Sequence, residues 1–146
     1  SRNEYICYDN SYNFSYTHNS LKKNIGKLGV VVSLQCNKLN DKISDFGKKL
    51  AMHITATNPL ALDEKNIDPK VLNKEKEMIS EELKNSGKRE NIIEKISIGR
   101  LEKFKQENTL LNQHWVIDPK KKVKEIVEDF KSGIIIKGFA RYKIGE

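Results

Sequence analysis

Apolar residues recur along this chain with two different periods, and the switches between them mark its elements. The run Leu28-Gly29-Val30-Val31-Val32-Ser33-Leu34-Gln35-Cys36 is β-branched and apolar, which predicts a central strand. Ile134-Ile135-Ile136-Lys137-Gly138-Phe139-Ala140-Arg141-Tyr142-Lys143-Ile144 alternates more clearly, as a strand with one buried and one wet face does. From Tyr5 to His18 the chain is rich in Tyr, Phe, Ile, Ser and Asn. Asp9-Asn10 offers a turn between two aromatic segments there, so a β-hairpin is expected, followed by a lysine-asparagine-glycine loop from Ser20 to Lys27.

Elsewhere the spacing is helical. Ile43, Phe46, Leu50 and Ile54 recur at intervals of three and four behind the cap Asn40-Asp41, and Asn58-Pro59 stops the pattern. Asp68-Pro69 reads as a cap with proline at the first helical position, opening a helix to about Ser86 that Gly87 ends. A second helix follows from about Arg89 to Lys105. Val71, Leu72, Met78, Ile79 and Leu83 on the first, and Ile92, Ile93, Ile96, Leu101 and Phe104 on the second, form a narrow apolar stripe amid charges of both signs. That stripe suits two antiparallel helices joined by a tight turn, projecting about 25 to 30 Å at the rise of an α-helix. Asn112 to Ile117 is an apolar connector holding the single tryptophan, Trp115. Asp118-Pro119 repeats the cap-plus-proline signal and predicts a short helix with Val123, Ile126, Val127 and Phe130 inward, ended by Gly133. The expected fold class is α+β: a small antiparallel sheet packed with helices, plus a projecting antiparallel helical hairpin of coiled-coil type. The expected domains are a core of residues 1–66 and 107–146 and an inserted hairpin of residues 67–106.

Composition narrows the classes. With 146 residues, 37% hydrophobic and 32% charged, one hydrophobic core is expected. No stretch approaches the ~20 apolar residues of a membrane span, and the first twenty positions lack the pattern of a secretion signal. The chain opens Ser1-Arg2 without methionine, which fits a processed protein or a cut fragment. Of 27 basic residues against 20 acidic ones, only Arg2, Arg89, Arg100 and Arg141 are arginines. A lysine surplus lacks the bidentate side chain that reads phosphates and base edges, so it is only a weak argument for specific nucleic-acid recognition. Residues 20–49 nevertheless carry seven lysines and two aspartates, so a basic RNA-binding module stands as the rival reading. Cys7 and Cys36 make no C-x-x-C pair and, with His18, His53 and His114, no zinc spacing; reduced thiols in a cytoplasmic setting are expected.

The familiar catalytic patterns are missing. No glycines stand in the P-loop or G-x-G-x-x-G frames, so direct nucleotide binding is not expected and no cofactor is implied. His18 facing Cys36 would make a nucleophile–base pair only by chance of strand placement. Gly26-Lys27-Leu28-Gly29 matches the RNA-gripping G-x-x-G loop, but that loop joins two helices and this one leads into Val30-Val31-Val32. Lys120-Lys121-Lys122 reads as surface. His53, alone within Leu50-Ala51-Met52-His53-Ile54, is open to two readings: a satisfied core histidine or a contact residue.

Three separated segments carry a resemblance: Leu50-Ala51-Met52-His53-Ile54-Thr55-Ala56-Thr57-Asn58-Pro59, then Glu94-Lys95-Ile96-Ser97-Ile98-Gly99-Arg100-Leu101-Glu102-Lys103-Phe104, and finally Gly138-Phe139-Ala140-Arg141-Tyr142-Lys143-Ile144-Gly145-Glu146. In order and spacing they resemble translation elongation factor Ts, in its C-terminal core subdomain with the inserted hairpin, from about Ile25 onward. The resemblance implies a guanine-nucleotide exchange factor that binds elongation factor Tu and drives out its GDP, without being an enzyme. It implies partner contacts at Leu28, Gly29, His53, Val116 and Ile117, and is compatible with a homodimer. Gln113-His114-Trp115-Val116 replaces the family's usual Gln-Pro-Phe-Val. The family's Thr-Asp-Phe-Val motif is absent, since Ser44-Asp45-Phe46 lies too close to Met52-His53 and Phe46 reads as core. The N-terminal helical domain and first core subdomain are absent too, which implies a C-terminal fragment of a longer factor.

Overall fold

The β-branched run becomes the middle strand of a three-stranded antiparallel sheet in the computed structural model, which describes residues 11–18, 27–130 and 133–144. Its strands are β1 (Ser11–His18), β2 (Lys27–Gln35) and β3 (Ile135–Ile144), in the order β1-β2-β3. The proposed Asp9-Asn10 turn lies outside the described residues. Phe14 faces Val32 and Val32 faces Phe139; Tyr16, Val30 and Arg141 line up likewise. The register shifts between Ser33 and Leu34, which face Gly138 and Ile136, placing a β-bulge at Lys137. Val30, Val32 and Leu34 are fully buried, and Val31 and Ser33 on the opposite face nearly so. Each fully buried aliphatic chain contributes about 1.5–3 kcal/mol of transfer free energy.

Helix α1 (Asp41–Thr57) packs on β1 and β2. Asn40 Oδ1 accepts the Ile43 N–H at 2.8 Å, satisfying a donor the first turn leaves open. At the other end Asn58 takes the left-handed conformation, φ 48°, and its N–H reaches Ile54 O at 2.9 Å. Ile43, Phe46, Leu50 and Ile54 form the buried face, as their spacing requires. Gly47 lies on that face too, where a Cβ would come 2.3 Å from Phe14 Cδ2 and 2.5 Å from Cγ. The helix approaches β1 through this missing methyl. Helix propensity alone would make Gly47→Ala stabilising by about 0.5–1 kcal/mol. Overpacking against the root of the Phe14 ring costs about 1–3 kcal/mol and outweighs it. A lower urea midpoint is expected for Gly47→Ala, partly restored by adding Phe14→Leu. A raised midpoint would show that helix and strand separate freely.

Contacts divide the chain into two compact units, residues 1–58 with 114–146, and residues 59–113. In the second, Asp68 Oδ1 accepts the Lys70 N–H at 2.9 Å and Pro69 opens α2 (Pro69–Lys84), as predicted. Gly87, φ +74°, supplies the turn into α3 (Glu90–Glu107). The two helices pack on each other through a narrow seam, with Ile79 and Leu83 buried. Met78 and Ile92, expected on the stripe, are instead 58% and 43% exposed. Met78 sits about 100° around the helix from Ile79, beyond what one neighbouring helix covers. Arg100 and Glu82 form an ion pair across the pair. Leu60 N–H reaches Asn108 O at 2.8 Å and Leu110 N–H reaches Ala61 O at 2.9 Å, stitching the ends of this unit together.

Back in the first unit, α4 (Val123–Glu128) begins four positions later than Asp118-Pro119 suggested. Lys121 N–H bonds to Asp118 O at 3.0 Å, so Asp118-Pro119 opens a β-turn. Aspartate followed by proline serves a turn and a helix start equally well, because both need φ near −65° after a side-chain acceptor. Val123 is buried, whereas Ile126, Val127 and Phe130 are half-buried.

Candidate functional site

The connector after Gln113 is short, apolar and folded back on α1. Trp115 N–H bonds to Lys121 O at 2.8 Å and His114 bridges Lys122, closing a loop of two successive turns. The first runs from Trp115 to Asp118, with Asp118 N–H on Trp115 O at 3.1 Å. Val116 and Ile117 are its two corner residues and are 38% and 48% exposed. Turn corners ordinarily take Gly, Pro, Asn, Asp or Ser. Two adjacent β-branched side chains part-exposed there are not what the turn itself calls for. The end of the connector and α4 carry the Lys121–Asp129 pair, Nζ to Oδ2 at 3.0 Å, and the Lys122 N–H on Glu125 Oε1 at 3.1 Å. The Asp129 carboxylate, by hydrogen bond and then by charge, holds the Lys121 ammonium above its usual range.

Behind the apex the support is aromatic. Trp115 is 4% exposed; its ring stacks on His53, centroids 5.3 Å apart and planes at 28°, and tilts against Phe46 at 5.4 Å. Phe46 meets Phe130 at 5.2 Å. Phe46, read from sequence as core, lies there. His53 is wholly buried and its Nδ1 accepts the Val116 N–H at 3.3 Å. A nitrogen that accepts carries its lone pair there, so the ring proton resides on Nε2.

Of the five residues implied as contacts, His53, Val116 and Ile117 therefore meet in one place. Gly29 lies elsewhere, on the sheet face opposite the one α1 covers, because strand alternation sets it apart from Val30 and Phe14. A Cβ at Gly29 would come 2.5 Å from the Tyr142 ring, so the glycine makes room for that side chain. Leu28 stands beside it at the start of β2, opposite Lys143.

The remaining candidates separate. His18 faces Leu28 at one end of the β1–β2 ladder and Cys36 follows Gln35 at the other, about 25 Å along a strand. They do not form a nucleophile–base pair. Cys36 is a buried free thiol whose burial pushes its pKa up, disfavouring the reactive thiolate; Cys7 lies outside the described residues. Among the described residues no cluster of His, Cys, Asp and Glu is arranged to hold a metal ion, and no helix is long and apolar enough to cross a membrane.

Two side-chain links made by residues of these motifs were not read from the sequence. Arg141 Nη1 donates to Asn58 Oδ1, tying β3 to the end of α1, and Arg100 links α3 to Glu82 of α2. A lone arginine in a strand of a lysine-rich chain was the available signal for the first.

The family described as Elongation factor TS matches residues 1–146. Elongation factor Ts of Gluconobacter oxydans is 41% identical over 132 residues, 90% of this chain and 43% of that protein. The Paracoccus denitrificans factor is 42% identical over the same shares, and that of Bartonella tribocorum 38% over 99% of this chain and 48% of its own length. The chain spans less than half the length of these curated relatives.

Proposed function

Since the chain belongs to the elongation factor Ts family, we propose that it supplies a partner-binding part of a guanine-nucleotide exchange factor, acting on elongation factor Tu in cytoplasmic translation. The observation that carries this reading is the Val116–Ile117 apex, two exposed β-branched side chains on a turn braced by buried aromatic rings. Exchange needs no covalent chemistry from the factor. A protein that binds the nucleotide-free form of a GTPase more tightly than its GDP form must, by linkage, weaken GDP affinity by the same factor. A rigid apolar knob suits that task, because it enters a partner's groove without losing conformational freedom on binding.

The contacts proposed are Val116 and Ile117 at the apex and, apart from them, Leu28 and Gly29 at the start of β2; His53, buried beneath the apex, supports it rather than touching the partner. Residues 67–106 are assigned to a coiled-coil hairpin within a core of residues 1–66 and 107–146. Leu72, Ile79 and Leu83, seven and four positions apart, support that pairing.

The test loads the GTPase with fluorescent GDP and follows its release. The complete factor is expected to accelerate release with a saturating dependence on its concentration, and residues 1–146 alone to do so weakly. Release at the spontaneous rate with the complete factor would overturn the family activity for this protein; full-rate release by residues 1–146 would overturn the division of labour.

A further inference from the structure

His53 is fully buried, so its ring has no surface to offer a partner, yet it lies directly under the apex. Resting on the partner-binding role of that apex, we propose that His53 is a positioning residue, whose Nδ1 lone pair fixes the conformation in which Val116 and Ile117 are presented. A backbone N–H at a turn corner ordinarily points to water. Here the Val116 N–H is aimed inward, at an imidazole 63 positions earlier in the chain. The Trp115 ring stacked on His53 holds the imidazole plane, and only one of its two flips puts a lone pair before that donor. The reverse flip sets a C–H against the N–H. Without the acceptor, the Trp115–Val116 peptide is free to rotate toward solvent, since an unmet donor in a half-closed site is costly. That rotation re-aims both apex side chains.

Two substitutions separate acceptor from bulk. His53→Leu keeps most of the volume and loses the acceptor; His53→Asn loses volume but sets an oxygen close to the Nδ1 position. In the complete factor, the Val116 amide of His53→Leu is expected to exchange with deuterium about tenfold faster than wild type, and its half-maximal concentration for GDP release to rise about tenfold, the scale of one hydrogen bond. His53→Asn should stay within about threefold of wild type on both measures although it melts lower. A purely space-filling histidine gives the opposite order, with Leu the better replacement. Unchanged Val116 protection in His53→Leu overturns the positioning bond, whatever exchange does. Lost protection with unaltered GDP release overturns its role in presentation. Ile117→Asp in the same assay then tells whether the apex itself matters: loss of exchange by that variant isolates the failure to His53, and no loss carries the apex reading away with it.

Discussion

Replacing Val116 and Ile117 together by aspartate in the complete factor should raise the concentration needed for half-maximal GDP release by at least about 100-fold, about 2.7 kcal/mol. Burying one such side chain at an interface is worth about 1.5–3 kcal/mol, and a carboxylate in its place adds a desolvation cost unless the partner supplies a cation. Both residues are 38% or more exposed, so the folded chain alone loses little, and the melting temperature should stay within about 2 °C, the scale of an ordinary surface substitution. The two readouts must part company. Unaltered release would remove the apex from the binding surface, whereas a large fall in melting temperature would show that the turn is held by its own side chains.

Removing the indole should do the reverse. Trp115→Ala takes away the ring that lies between His53 and Phe46, and large aromatic-to-alanine changes in a core cost about 3–5 kcal/mol. Against a typical stability of about 5–15 kcal/mol, that removes from a fifth to nearly all of the stability of the unit of residues 1–58 and 114–146. Calorimetry should show a drop of at least about 12 °C in its transition, at the several degrees per kcal/mol usual for a domain of this size. Since Trp115 is the only tryptophan, wild-type emission shifting red on denaturation reports this same unit directly. A drop under about 4 °C, corresponding to less than 1 kcal/mol, would contradict the packing described around His53.

The helical caps illustrate what local sequence decides and where it runs out. Asn40 and Asp68 cap helices as their side chains predict, because the satisfied donors lie two or three positions away. Asp118-Pro119 carries the same chemistry into a turn instead, and the difference lies in the bonds made by the residues on either side. Trp115 draws Lys121 back by a backbone bond, and Glu125 takes the Lys122 N–H, so the helix can begin only at Val123. Met78 and Ile92 show a similar limit: their apolar character is visible, but which of two adjacent apolar positions meets a neighbour depends on where that neighbour lies.

For the candidate site, the connector's apolar run and its lone tryptophan were legible, and the motifs around His53, Arg100 and Arg141 pointed to a family. A buried, hydrogen-bonded His53 was one of the two readings the sequence offered; that its partner is the Val116 N–H, that Gly47 admits Phe14 and Gly29 admits Tyr142, and that Arg141 reaches Asn58 were not legible.

By itself, then, the sequence determined the order of strands and helices among the described residues, the central place of β2 and the caps of α1 and α2. Those depend on residues within a few positions of one another, where backbone geometry and side-chain reach are set locally. The tertiary structure alone decided that the buried face of α1 meets β1 at Gly47 against Phe14, which ring nitrogen of His53 is aimed at the connector, and why Val116 and Ile117 stand in solvent while Trp115 beside them does not. These rest on packing between segments tens of residues apart, whose relative placement no local period encodes.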